Sequence, residues 1–244
     1  AVGLARGASD LRPLRAGLDL CAAELRAQGI AEEKLVVIRS AVDADAFRAP
    51  RDCAARRREF DIPDGAVAIA AAGQLIPRKG HRYLLEAVHG LRRNYPQIRL
   101  VIFGEGYLDT QLRAQAAALG LGDIVQFAGY RDDLDGFIGC FDLFAHPASS
   151  EGLGIAVLKA SAAGLPVVAA DAGGLREVVV SGETGLLVPS EDPGALQRAI
   201  ARLIDDDGLR ARLGAAARER MQNEFSIATM ADKHVALYEK VLNG

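Results

Sequence analysis

Residues 145–179 read AHPASSEGLGIAVLKASAAGLPVVAADAGGLREVV, and the order of elements in that stretch decides the fold class. It contains a strand end, a loop with one carboxylate, and a nearly all-apolar helix. A turn at Gly164, a β-branched strand and a Gly-Gly turn into a further helix follow. Glycines flank the helix start in Glu151-Gly152-Leu153-Gly154, so backbone can approach a ligand closely and aim free N–H groups at an anion. Glu151 beside that end stays ionised in the helix dipole and is able to accept hydrogen bonds from hydroxyls. The helix, about Gly154 to Ala163, carries only Lys159 and Ser161 as polar residues. A helix so apolar packs on most sides, and Lys159 leaves either by a ligand cleft or by snorkelling to solvent.

Working outward, strands and helices alternate from Val67 onward. Strands are expected at 67–72, 99–103, 124–127, 143–146, 167–170 and 186–188, with helices near 81–94, 108–119, 154–163, 175–180 and 193–204. Strands too apolar for one-sided burial, alternating with helices, predict an α/β fold with a doubly wound parallel sheet. Two tail helices are expected at about 208–222 and 226–242, the second with an apolar stripe that needs a partner surface. Before the sheet, a helix from Asp19 to Gln28, with Asp19 as cap, and a short strand Leu35–Ile38 are expected. Residues 41–58 read as a linker: Asp43-Ala44-Asp45 as an Asx-turn in preference to a metal-nucleotide motif, and Arg56, Arg57 and Arg58 as a solvated face.

In such a sheet, ligands bind beyond the carboxyl ends of the strands. Three loops at that edge carry chemistry. In Gly73-Gln74-Leu75-Ile76-Pro77-Arg78-Lys79-Gly80, two cations beside a helix start suit a diphosphate, or else form a solvated pair. Gly104-Glu105-Gly106 resembles a dinucleotide fingerprint, but Asp109 stands at the third glycine and would repel a pyrophosphate. The third loop is the one with Glu151.

Composition excludes several classes. The 244 residues carry a net charge of −3, against the basic excess of a nucleic-acid binder, and Trp is absent. No apolar run reaches the roughly 20 residues of a membrane span. The first residues, AVGLARGASD, lack both Met and an apolar leader and read as a fragment or a processed chain. Cys21, Cys53 and Cys140 are odd in number and widely spaced, which predicts free thiols in a reducing compartment. No metal site is expected: His81, His89, His146 and His234 share no ligand spacing with Cys or acids. His146 reads as a structural residue, and Asp132, Asp133 and Asp135 as helix-start acids.

The ordered series GQLIPRKG, VIFGEG, VQFAGYRDDL, FDLFAHPASSEGLGIAVLKASAAGLPVVA, GGLREVV and TGLLV resembles the donor-binding half of retaining GT-B glycosyltransferases of family 4. The resemblance implies a Rossmann-like domain of a two-domain fold that binds a nucleotide-diphospho-sugar and passes the sugar to an acceptor with retention, without a metal or cofactor. It implies that Arg78 and Lys79 hold the diphosphate and that Glu151, the first acid of an E-x7-E motif, binds the transferred sugar. The amides of Leu153, Gly154 and Ile155 face the sugar and phosphate, with Gly73 and Gly152 in the same loops, and Tyr130 and Arg131 flank the base. Two positions depart from the family: Gln74 stands where Arg is frequent, and Lys159 replaces the second acid. A cation donates to a ribose oxygen or phosphate but accepts nothing from a hydroxyl.

The resemblance divides the chain into a remnant of the acceptor domain with a linker (1–50), the donor domain (51–225) and a helix crossing back (226–244). It implies a cytoplasmic protein, peripheral to the membrane through its missing domain. The alternatives are a non-catalytic nucleotide-sugar or protein-binding module and a sugar-nucleotide epimerase of the same fold.

Overall fold

Six short parallel strands carry the architecture, in a computed structural model that describes residues 18–47 and 52–243. Expectations that fall on residues 1–17 and 48–51, or on the side chain of Cys21, lie outside the described residues. The strands are β1 (Ala68–Ala72), β2 (Arg99–Phe103), β3 (Val125–Gly129), β4 (Leu143–His146), β5 (Val167–Ala170) and β6 (Gly185–Val188), in the order β3-β2-β1-β4-β5-β6. This is the doubly wound, Rossmann-like sheet that the alternating pattern predicts. Alternate side chains go to opposite faces. Ala68, Ala70, Val101, Phe103, Phe144 and Val167 join one core; Ile69, Ala71, Leu100, Ile102, Leu143 and Val168 join the other.

Helices cover both faces. α3 (His81–Arg92), α4 (Asp109–Ala118) and α7 (Pro193–Asp205) bury Leu84, Leu112 and Ile200 in the second core. α5 (Ile155–Ala162) and α6 (Leu175–Val178) bury Leu158 and Leu175 in the first. α8 (Asp207–Glu224) follows α7, capped by Asp206, whose side chain accepts from the Leu209 amide at 2.7 Å. β1 and β4 are hydrogen-bonded neighbours, yet their connections run toward opposite edges. The loops that leave them therefore part, and a crevice opens at the carboxyl ends.

Before the sheet lie α1 (Leu18–Ala27) and α2 (Cys53–Glu59), and α9 (Ile227–Asn243) ends the described chain. Several expectations need correction here. Asp19 lies within α1 and not at its cap. Leu35–Ile38 is no strand, because no described segment offers it a ladder of backbone partners and Val36 is exposed. Val42 instead donates to the Phe225 carbonyl at 2.8 Å, which ties this strap to the end of α8.

The latter part of the expected linker is α2. Asp52 caps it by accepting from the Ala55 amide at 2.8 Å. Of its arginines only Arg58 is an exposed, solvated side chain; Arg56 and Arg57 are engaged. Arg57 donates to the Ala66 and Cys140 carbonyls and pairs with Asp142 at 3.1 Å, while Arg56 lies 4.7 Å over the Phe137 ring. Asp43 does form the Asx-turn, accepting from the Asp45 amide at 3.1 Å.

The G-x-G of the second loop also has a packing reason. A Cβ on Gly104 would fall 2.0 Å from the Gly73 carbonyl oxygen. The β1 and β2 loops run backbone on backbone there, with the Leu75 amide donating to Glu105 at 2.8 Å.

The thiol expectation fails for two of the three cysteines: Cys53 and Cys140 form a disulfide across a sequence separation of 87, with Cα atoms 5.1 Å apart. It pins α2 to the 3₁₀ turn Ile138–Cys140, against the cluster of Phe60, Phe103, Phe137 and Phe141. A loop that long restricts the unfolded chain strongly, and such a bond is worth about 2–4 kcal/mol. Dithiothreitol should therefore lower the melting temperature of the wild-type chain and leave that of Cys53→Ser unchanged. An identical shift in both would remove the bond from the stability account.

Candidate functional site

The crevice at the carboxyl ends of β1 and β4 gathers the expected residues. The β1 loop ends in the 3₁₀ turn Pro77–Lys79, and the β4 loop runs from Pro147 to Gly154. The two loops touch backbone to backbone. The Ser149 amide donates to the Arg78 carbonyl at 2.8 Å, and a Cβ on Gly80 would fall 2.1 Å from the Pro147 carbonyl oxygen. Only glycine fits at position 80, where φ is also +69°. The Gly-Gly turn before α6 closes the third side, its Gly174 amide donating to the Glu151 carbonyl at 3.1 Å.

Glu151 stands at the centre. Its Oε2 accepts from the Lys79 ammonium and from His146 Nε2 at 3.2 Å, and Arg78 Nη1 lies 3.9 Å away. The Lys79 and Glu151 side chains are each only 12% exposed. Burial alone pushes the Glu151 carboxyl up, but the hydrogen bonds from His146 and Lys79 and the charge around it outweigh that and hold it at about 2. Glu151 is therefore ionised at neutral pH. Arg78 also donates to the Ser150 carbonyl at 3.3 Å and remains about half exposed.

α5 starts at Ile155 after Gly154, at φ +85°, and no side chain caps it. The Val157 amide donates to the Gly154 carbonyl at 2.8 Å, and no side chain accepts from the amides before it, an opening that suits an anion. Gly152 is exposed with open space around it, Leu153 is buried, and Ile155 is half exposed. Gly73 lies beneath the Lys79 stem: a Cβ there would sit 3.4 Å from Lys79 Cδ.

Three expected residues do not join this cluster. Arg131 pairs with Asp133 at 2.7 Å and with Glu59, and lies over the Phe60 and Phe137 rings. Its cation is engaged in holding α2. Tyr130 is exposed at the end of β3. Lys159 pairs with Asp135 at 2.7 Å, both side chains partly exposed. Asp133 and Asp135 do stand at the start of the turn Leu134–Gly136, though no side chain caps it, and both are also ion-pair partners.

Two histidines matter that the sequence assigned no ligand role. His146 ends β4 fully buried, and His81 opens α3 with neither ring nitrogen hydrogen-bonded. A signal was present for His146: it is the last strand residue before a loop at the ligand edge. Among the described residues, no group of three or more His, Cys, Asp or Glu is placed to hold a metal ion, and no helix is long and apolar enough to cross a membrane.

Residues 54–220 match the model of the glycosyl transferases group 1 family. The chain belongs to that family. It is 33% identical over 187 residues to the lipopolysaccharide core biosynthesis glycosyltransferase LpsE of Rhizobium meliloti, covering 77% of this chain and 54% of that protein. It is 38% identical over 188 residues to the GDP-mannose-dependent alpha-(1-6)-phosphatidylinositol monomannoside mannosyltransferase of Mycolicibacterium smegmatis, covering 72% and 49%. The chain thus spans about half the length of the curated relatives it matches. In fold it superposes on Anabaena HepE in complex with UDP and glucose, with a TM-score of 0.85 and 24% identity over 92% of this chain and 62% of that one. WaaG, a glycosyltransferase involved in lipopolysaccharide biosynthesis, gives 0.79 at 21% identity, over 89% and 60%. The Rossmann-like domain is that of GT-B glycosyltransferases.

His81 supplies a pH prediction. Burial first, then the nearby His146, lowers its pKa from 6.5 to about 4, so it is neutral in the fold at neutral pH. Between those values the unfolded chain binds a proton that the folded chain refuses. Stability should decline as pH falls from about 6.5 toward 4 and stop declining on this account below that. Urea titrations of His81→Leu should show a flatter limb in this window. An unchanged limb would show that His81 does not govern it.

Proposed function

We propose that this chain is the donor-binding domain of a retaining, family-4-like glycosyltransferase that takes a nucleotide-diphospho-sugar. The observation that carries the reading is the meeting of Arg78, Lys79 and Glu151 at the switch point between β1 and β4. Cations and uncapped amides at that point suit a leaving diphosphate. A carboxylate beside them suits sugar hydroxyls, which donate where phosphate cannot. The arrangement supplies positive charge from fixed side chains, in keeping with transfer that needs no metal. HepE, which shares the fold, holds UDP and glucose together.

The acceptor belongs to the same proposal and stays unspecified: a sugar, a lipid-linked sugar or a small molecule held by a second domain. α9 supports a second domain. It has no buried residue, and Ile227, Val235, Tyr238, Val241 and Leu242 are exposed along it. A helix of 17 residues takes most of its stability from packing, so a covering surface is expected. A cytoplasmic location, peripheral to the membrane, is part of this reading and no longer has the thiols in its favour.

A second reading is a binding module that has lost turnover. Lys159 favours it, because its ammonium is engaged with Asp135 and offers no acceptor for a ribose hydroxyl. Glu at 159 would face that carboxylate, so Lys159→Glu alone should bind nucleotide no better and lose the pair. The double variant Lys159→Glu with Asp135→Lys should regain stability of about 0.2–1 kcal/mol, the range for exposed pairs. A double variant no more stable than the single one in thermal melts would discard the pairing argument.

The donor reading is tested by calorimetric titration with UDP, GDP and ADP. One of them should bind, and Arg78→Ala and Lys79→Ala should each weaken it by about 1.5–3 kcal/mol, the range for hydrogen bonds to charged groups. Failure of all three at millimolar concentration would end the reading.

A further inference from the structure

The hydrogen bonds to the Glu151 carboxylate converge on one oxygen. Lys79, His146 and Arg78 each approach Oε2, and no described residue hydrogen-bonds Oε1. Oε1, in a side chain 12% exposed, is left without a protein hydrogen bond and is not sealed from solvent. The carboxylate is divided into an anchored side and an offered side.

His146 has the features of an anchor. Its side chain is 3% exposed, and its ring stacks on Phe144 with centroids 6.2 Å apart and planes 15° apart. Phe144 is itself fully buried in β4. The imidazole is therefore fixed by packing, while Lys79 is fixed only through a flexible stem. Burial, more than any other cause, lowers the His146 pKa, although the Glu151 hydrogen bond acts the other way. The charges facing it are Lys79 and Arg78, with Glu151 opposite. A neutral imidazole serves Glu151 in one tautomer only, with the proton on Nε2.

We infer that His146 is a positioning residue: its Nε2–H holds Oε2 of Glu151 so that Oε1 points outward as the acceptor for a substrate hydroxyl. This deepens the donor-domain reading and rests on it for the identity of that substrate. The point of a second, uncharged anchor is persistence. Lys79 and Arg78, the cations at Oε2, are both groups that a diphosphate also attracts. When the ammonium gives donors to phosphate and its hold on Oε2 loosens, the His146 hydrogen bond remains and Oε1 keeps its direction. The imidazole offers nothing to the anion itself, since its Nε2 proton is already committed.

The test compares His146→Leu, which removes the donor, with His146→Gln, whose amide restores an N–H near Nε2. The titrants are UDP, GDP and ADP, each against its sugar form: UDP-glucose, GDP-mannose and ADP-glucose. His146→Leu should lose about tenfold in affinity for the sugar form, the scale of one charged hydrogen bond, and little for the bare diphosphate. His146→Gln should recover most of that loss. An equal loss on both titrants, or no loss on either, overturns the assignment. A ligand-independent arm uses nitrogen-15 NMR of the imidazole. A protonated Nε2 and bare Nδ1 at pH 7 support the anchor, and the reverse tautomer overturns it even if no nucleotide binds. In that event only the donor reading would fall with the titrations, and the tautomer would still decide the role of His146.

Discussion

The contact between the Lys79 ammonium and the Glu151 carboxylate is the point through which the ligand edge is organised. It joins loops 72 residues apart in sequence and closes them over the gap between β1 and β4. A pair this far from solvent gains Coulomb energy but pays to shed water, so its net stability is small. Removing one partner is another matter, because the other is then left buried and charged. The pair is better understood as a device for placement. It costs little while complete, and it resists any drift that would separate the loops.

The sheet makes that placement rigid. β1, at the centre, is AIAAA, and its small side chains leave room above one face for Phe60, Phe103, Phe137 and Phe141. That aromatic cluster carries the long connection from β3 to β4 across the end of the domain. The Cys53–Cys140 bond and the Arg57 contacts secure the same connection from outside. Position at the β4 loop is therefore inherited from packing some distance away.

How much of this was legible follows from range. The strands and helices after Val67 show in the sequence because apolar runs and breakers are local signals, and each observed element lies within about two residues of its expected place. Arg78, Lys79 and Glu151 were legible because charged residues next to glycines at strand ends mark the ligand edge in any doubly wound sheet. Their meeting at one oxygen was not, since it depends on two loops touching. The disulfide was missed for the same reason: no local spacing announces a bond across 87 residues. α2 was hidden because a helix of 7 residues, CAARRRE, has no apolar period to show. Leu35–Ile38 erred in the other direction: an apolar run looks like a strand, but a strand needs a neighbour.

The two cations of the site are not equivalent, and the difference bears on how an anion would enter. Lys79 is held low in the crevice with its charge already matched by Glu151. Arg78 is about half exposed, weakly engaged at 3.9 Å from the same oxygen, and anchored to loop backbone at Ser150. On the proposed donor reading, an incoming diphosphate would meet Arg78 first, whose planar fork can grip two oxygens without disturbing the interior. Lys79 has three donors, so it can turn one toward phosphate while another stays on Oε2. Capture and alignment are then separate tasks on adjacent residues. The carboxylate, which would otherwise repel the diphosphate, is screened by the very ammonium that both groups share.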